Sequence, residues 1–93
     1  DRNPDADLRL KAARPALEGQ AEALSMPVEN LLTPDLLRRV AWAPPAEVTA
    51  PAIGEALIEL GARPWQIEQT AQVIADAFVA STQLPEEPSE VES

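Results

Sequence analysis

The sequence predicts an all-α domain, a small bundle of four main helices plus a short helical turn. Three observations carry that expectation. Apolar residues recur at spacings of three and four in four separate stretches, which is the period of one helix face. The stretches are separated by Pro, Gly and capping Thr residues, the usual start and stop signals of helices. No stretch of useful length alternates apolar with polar residues, as a half-buried strand would. With 93 residues the chain holds one domain, and a domain of that size buries only about 60% of its unfolded surface.

The first helix is expected from about Leu8 to Ser25, with Leu10, Ala13, Leu17, Ala21 and Leu24 on its inner stripe. Pro15 lies inside that pattern and cannot donate to the carbonyl of Lys11, so a kinked or two-part helix is expected there. Pro27 stops the helix and opens a short turn from Val28 to Leu31. In Thr33-Pro34-Asp35, an N-cap, a first-turn proline and an acid at the positive helix end follow in order. Leu36, Leu37, Val40 and Ala41 then face inward, while Arg38 and Arg39 face out. Pro44-Pro45 ends this helix, and the loop from Ala43 to Val48 is expected to be exposed.

Thr49-Ala50-Pro51 opens a third main helix by the same logic, with Ile53, Ala56, Leu57 and Leu60 inward and Gly61 just beyond its end. Pro64 starts the last helix, where Ile67, Ala71, Ile74 and Phe78 repeat at four, three and four, with Trp65, Val73 and Ala77 beside them. It is expected to end near Ser81. The short connections predict that consecutive helices are neighbours. The expected organisation is a flexible N-terminal segment over residues 1–7, a helical domain over residues 8–81, and an acidic tail over residues 82–93 whose composition predicts disorder.

Composition removes several classes of function. There is no cysteine and no histidine, so neither a disulfide framework nor a zinc–thiolate site is available, and carboxylates alone could hold a metal. No stretch approaches the length of a membrane span, and the first residues, Asp1-Arg2-Asn3-Pro4-Asp5, are the reverse of a signal peptide. A cytoplasmic, monomeric piece of a longer chain is expected, with no membrane contact. The formal charge is −9, but residues 8–81 carry six basic and nine acidic groups, close to neutral. That is not the basic surplus of a strong, independent nucleic-acid binder.

Few residues suggest chemistry. Ser25, Ser81, Thr33, Thr49 and Thr70 have no histidine base, and Lys11 is the only lysine. Glu18/Glu22 and Glu55/Glu59 each share a helix face, but opposite the apolar stripe, where a solvated outer surface is the simpler explanation. Asp5-Ala6-Asp7 has a spacing seen in metal-dependent nucleases, without a strand to hold it. Gly61-Ala62-Arg63-Pro64 precedes a helix start, yet its single glycine and its proline make a poor phosphate cradle. No catalytic residue, metal ligand or cofactor is therefore assigned to this chain. What remains is a stacking and cation patch. Arg38, Arg39, Arg63, Trp65 and Gln66 are the candidate nucleic-acid contacts, because Trp and Arg stack unpaired bases and Arg and Gln hydrogen-bond them. Trp42 ranks lower, since a tryptophan in a small domain commonly fills the edge of a core.

Two segments resemble a known family. Pro27-Val28-Glu29-Asn30-Leu31-Leu32-Thr33-Pro34-Asp35-Leu36-Leu37-Arg38-Arg39 resembles the central helices of the HRDC domain (helicase and ribonuclease D C-terminal). Gly61-Ala62-Arg63-Pro64-Trp65-Gln66 is similar to the far C-terminal region of bacterial ribonuclease D-like proteins, the actinobacterial form above all. The resemblance covers about Arg9 to Ala80. It implies an accessory domain, not itself catalytic, that positions RNA for a metal-dependent 3′–5′ exoribonuclease whose acids and metals lie in a separate upstream domain. The implied partners are single-stranded or structured RNA, bound weakly, and that upstream exonuclease domain. Better-known members carry a Gly-rich turn and a Lys where this chain has Arg63-Pro64-Trp65. With the acidic balance, that difference keeps open a second role as a protein-docking module.

Overall fold

A computed structural model describes residues 4–83 as five helices, α1 (Pro4–Ala23), α2 (Val28–Leu31), α3 (Pro34–Trp42), α4 (Ala50–Glu59) and α5 (Pro64–Gln83), with no strand among the described residues. The all-α architecture of four main helices and a short turn is thus present. One core holds it together, built from Leu10, Leu17, Leu31, Leu37, Val40, Ile53, Leu57, Ile74 and Phe78, with small alanines between them. The stripes expected on α1, α3, α4 and α5 supply most of it. Leu24, Leu36, Ala56, Leu60 and Ile67 from those stripes pack at its edge.

Helix α1 starts earlier than the periodicity suggests. Pro4 occupies the first turn, where its missing N–H costs nothing, and Asp5 and Asp7 place negative charge at the positive helix end. Residues 4–7, expected within a flexible segment, form the first turn of α1, and Ala6 there is fully buried. Residues 1–3 lie outside the described residues, as does the acidic tail beyond Gln83, whose expected start at residue 82 falls inside α5. Helix α1 also runs through Pro15 as a single element, not as two. Both Pro15 and Lys11 are exposed, so water can reach the carbonyl left without its helical donor. Leu10, Ala13 and Leu17 anchor the helix on either side of the proline.

Helix ends follow local rules closely. Ser25 takes a left-handed φ of 58°, and the Ser25 and Met26 amides donate to the carbonyls of Glu22 and Ala21 at 3.0 Å each. This six-residue C-terminal motif, not Pro27, is what stops α1. The same motif closes α4: Gly61, at φ 101°, donates to Ile58 and Ala62 donates to Leu57, both at 2.9 Å. Thr33 and Thr49 cap α3 and α4 by accepting from the Leu36 and Ala52 amides at 3.4 and 3.3 Å. In the loop that follows α3, Ala43, Ala46 and Glu47 are exposed as expected, while Pro44, Pro45 and Val48 are half-buried.

The most extensive helix contact joins the first and last helices, α1 and α5, followed by α4 against α5. The Gln20 side-chain amide donates to the Gln69 backbone carbonyl at 2.9 Å and to the Gln69 side chain at 3.1 Å, which fixes their register. If the two helices ran parallel from that point, Ala23 would lie level with Gln72, and α1 would leave the C-terminal part of α5 uncovered. Ala77, Phe78 and Ser81 are buried, so α1 and α5 run antiparallel along their length. Helix α4 packs on the same helix through Gly54, where a Cβ would stand 3.0 Å from Ile67 Cγ2. Replacement of Gly54 by leucine is expected to force these helices apart, destabilising the domain by about 1–3 kcal/mol. A thermal melt checks this: the account requires a melting point several degrees lower, and an unchanged one would contradict the close α4–α5 approach.

Candidate nucleic-acid interface

Helix α3 sets out the strongest candidate surface. Burial of Leu37, Val40 and Ala41 turns Arg38, Arg39 and Trp42 outward by the geometry of a 3.6-residue turn. Asp35, in the first turn, takes both arginines: Arg39 Nε lies 2.9 Å from one carboxylate oxygen and Arg38 Nη2 lies 3.3 Å from the other. All three side chains are more than half exposed, so these pairs are worth no more than about 1 kcal/mol and exchange readily. The three groups together keep one positive charge. Trp42 is 49% exposed and shares an open depression with Arg38, Arg39, Ala43 and Leu60. An exposed indole and two arginines on one helix face, open to solvent, suit an unpaired base and its phosphates.

A second arginine contact holds this surface in place. Arg9 on α1 donates from Nε to the Ala41 carbonyl at 2.7 Å. That carbonyl belongs to the last turn of α3, where main-chain acceptors lack helical partners and a cation meets the negative end of the dipole. The sequence gives no local signal of this bond, which joins residues 32 apart.

The other predicted contacts are arranged differently. Trp65 is 42% exposed, but it lines a separate depression with Ile58, Pro64, Ile67 and Glu68. The two depressions share no residue, so Trp65 is not brought together with Arg38 and Arg39. Its charged neighbour in the depression is an acid, Glu68, which opposes a phosphate. Gln66 is drawn into a cap: its side-chain oxygen accepts from the Arg63 amide at 2.8 Å, half of a capping box at the start of α5. Arg63 itself is exposed. Both tryptophans are therefore surface residues, not the core-edge fillers that a small domain leads one to expect.

The weaker candidates resolve as structural. Before α5, the amides of Gly61, Ala62 and Arg63 are committed to Ile58, Leu57 and Gln66. Thr70 and Ser81 are buried, and their hydroxyls donate to the carbonyls of Gln66 and Phe78 at 2.7 Å each. Glu18, Glu22, Glu55 and Glu59 are exposed. Among the described residues, no three acidic side chains converge as a metal site would need, and no helix is long and apolar enough to cross a membrane. A small apolar cleft, about 150 Å³, lies between Leu17, Val28, Leu32, Pro34 and Leu37, with Arg14 and Glu18 at its mouth.

A family model for the 3′ to 5′ exonuclease C-terminal domain matches residues 1–78. No curated protein and no solved structure matches the chain.

The arginines of this region differ in what they hold. Arg9→Met removes a partly buried, charge-assisted bond and is expected to cost about 1–2 kcal/mol of stability. Asp35→Asn, which releases Arg38 and Arg39, is expected to cost less than about 1 kcal/mol. Denaturant unfolding of both variants checks the order, and a larger loss for Asp35→Asn would make the surface pairs, not Arg9, the structural element.

Proposed function

The chain belongs to the 3′ to 5′ exonuclease C-terminal domain family, and from that premise we propose that it positions RNA for a ribonuclease D-like 3′–5′ exoribonuclease. The family supplies the coarse role, a C-terminal accessory domain of a 3′ to 5′ exonuclease. The resemblance of Pro27–Arg39 to HRDC helices and of Gly61–Gln66 to ribonuclease D termini supports the finer assignment. In this reading the parent enzyme is cytoplasmic and metal-dependent, its metal ligands lie upstream, and the domain contributes no reacting group of its own.

The observation that carries the reading is the exposed indole of Trp42 flanked by Arg38 and Arg39 on one helix face. An unpaired base stacks on the indole, and the guanidinium groups meet the neighbouring phosphates. Trp42 thus takes a place that the sequence alone assigned to Trp65, while Arg63, Trp65 and Gln66 become secondary contacts. The surface lies near the N-terminal half of α1, through the Arg9–Ala41 bond, and so on the side from which an upstream domain is tethered. Affinity is low for so few charges. Tethering compensates, because a linked site works at an effective concentration near millimolar.

A second reading, docking on the exonuclease domain, draws on a different surface. Ile58 is 59% exposed and Trp65 lies beside it, next to Glu68, a place better suited to protein than to phosphate.

Loss of two phosphate contacts lowers the salt slope for a single strand by about 0.7 each. Arg38→Ala/Arg39→Ala is therefore expected to weaken binding of a single-stranded RNA at low salt and to flatten its log–log salt dependence by about 1.4. Equal affinity and slope for the variant and the wild-type chain would rule out this surface.

A further inference from the structure

We propose that the acidic stretch Glu86–Glu92 of this same chain occupies the Arg38–Arg39–Trp42 surface and has to be displaced before a nucleic-acid strand can use it. Beyond Gln83 the chain carries Glu86, Glu87, Glu90 and Glu92 and no basic residue. Of the seven basic residues in the sequence, Arg38 and Arg39 stand on α3, and Arg9 is bonded to its last turn. At Trp65 the neighbouring charge in its depression is an acid, Glu68. The pairs with Asp35 are exposed, so an incoming carboxylate can take over either arginine without repacking the core.

Reach follows from the fold. The antiparallel register of α1 and α5 brings Gln83 to the end of the bundle where α1 begins. Arg9 lies near that end and touches Ala41, next to Trp42. Allowing one interhelical spacing and one arginine side chain, the end of α5 and Trp42 are on the order of 20 Å apart. Residues 84–93 can span up to about 33 Å when extended. Because the segment is tethered, even a weak ionic contact is populated. The consequence for nucleic acid rests on the function proposed above; the contact itself does not.

The two tryptophans make the test internal. Indole N–H signals of the chain, assigned with Trp42→Phe and Trp65→Phe, are compared with those of the same chain ending at Gln83 and of a version with all four glutamates changed to glutamine. The Trp42 signal is expected to move in both variants while the Trp65 signal stays. In about 1 M salt, where charges are screened beyond about 3 Å, the full chain should approach the truncated one. Coincident Trp42 signals in all three proteins, or an equal movement of Trp65, would overturn the proposal. Oligouridine is the nucleic-acid probe. Truncation should tighten its binding several-fold, and this gain should vanish in an Arg38→Gln/Arg39→Gln background. If Trp42 moves but oligouridine binds no form, the contact stands and the nucleic-acid role fails. If oligouridine binds through the arginines while Trp42 does not move, the tail is not on this surface and the nucleic-acid role stands.

Discussion

The antiparallel packing of α1 on α5 is the constraint on which the rest of the domain depends. Each helix has 20 residues, and together they supply the long walls of the core. Small residues make the approach possible: Ala6, Ala13 and Ala21 on α1 and Ala71, Ala75 and Ala77 on α5 are all buried. The other helices are fastened to this pair. Helix α4 rests on α5 through Gly54, and α3 is held on α1 by its apolar stripe and by Arg9. A surface on α3 is therefore only as well placed as the α1–α5 pair beneath it. That is why a residue on the first helix, with no nucleic-acid role of its own, belongs in the account of the site.

Function in this domain resides in what the helices leave outside. The hydroxyls of Thr33, Thr49, Thr70 and Ser81 are spent on caps and carbonyls, the amides of Gly61 and Ala62 close α4, and the Arg63 amide is taken by Gln66. What remains exposed is a pair of unlike surfaces. One joins an indole to two arginines on α3, and the other joins an indole to Ile58 and Glu68 at the start of α5. In the proposed function the first surface would hold substrate and the second would face the rest of the enzyme.

Features set by short-range chemistry were legible in the sequence. The inner stripes, the Thr33 and Thr49 caps, the short turn at Val28–Leu31 and the helix end at Gly61 all depend on residues within one or two turns. The misses have equally specific causes. The α1–α5 pairing and the Arg9–Ala41 bond join residues far apart in the chain, beyond any periodicity. Ser25 adopts a left-handed φ that its residue type does not announce, so Pro27 took the credit for ending α1. Pro15 does not divide α1 into two helices, because it lies on the exposed face, a placement that residue type alone does not reveal. Gly54 looked like an isolated glycine until α5 was placed against it. The exposure of the two tryptophans depends on how α3 and α5 pack, which residue type alone does not reveal. Gln66 was legible as polar and near a helix start, which fits a cap as well as a contact.

In the proposed function, nucleic acid meets this domain at the outer face of α3, at Arg38, Arg39 and Trp42. A low-salt NMR titration of the chain with a short single-stranded RNA tests it most directly, because every backbone amide reports its own position. The account predicts shift changes concentrated from Arg38 to Ala43 and at the Trp42 indole, with little change at Ile58 or Trp65. Changes centred on Ile58 and Trp65, with none on α3, would contradict it.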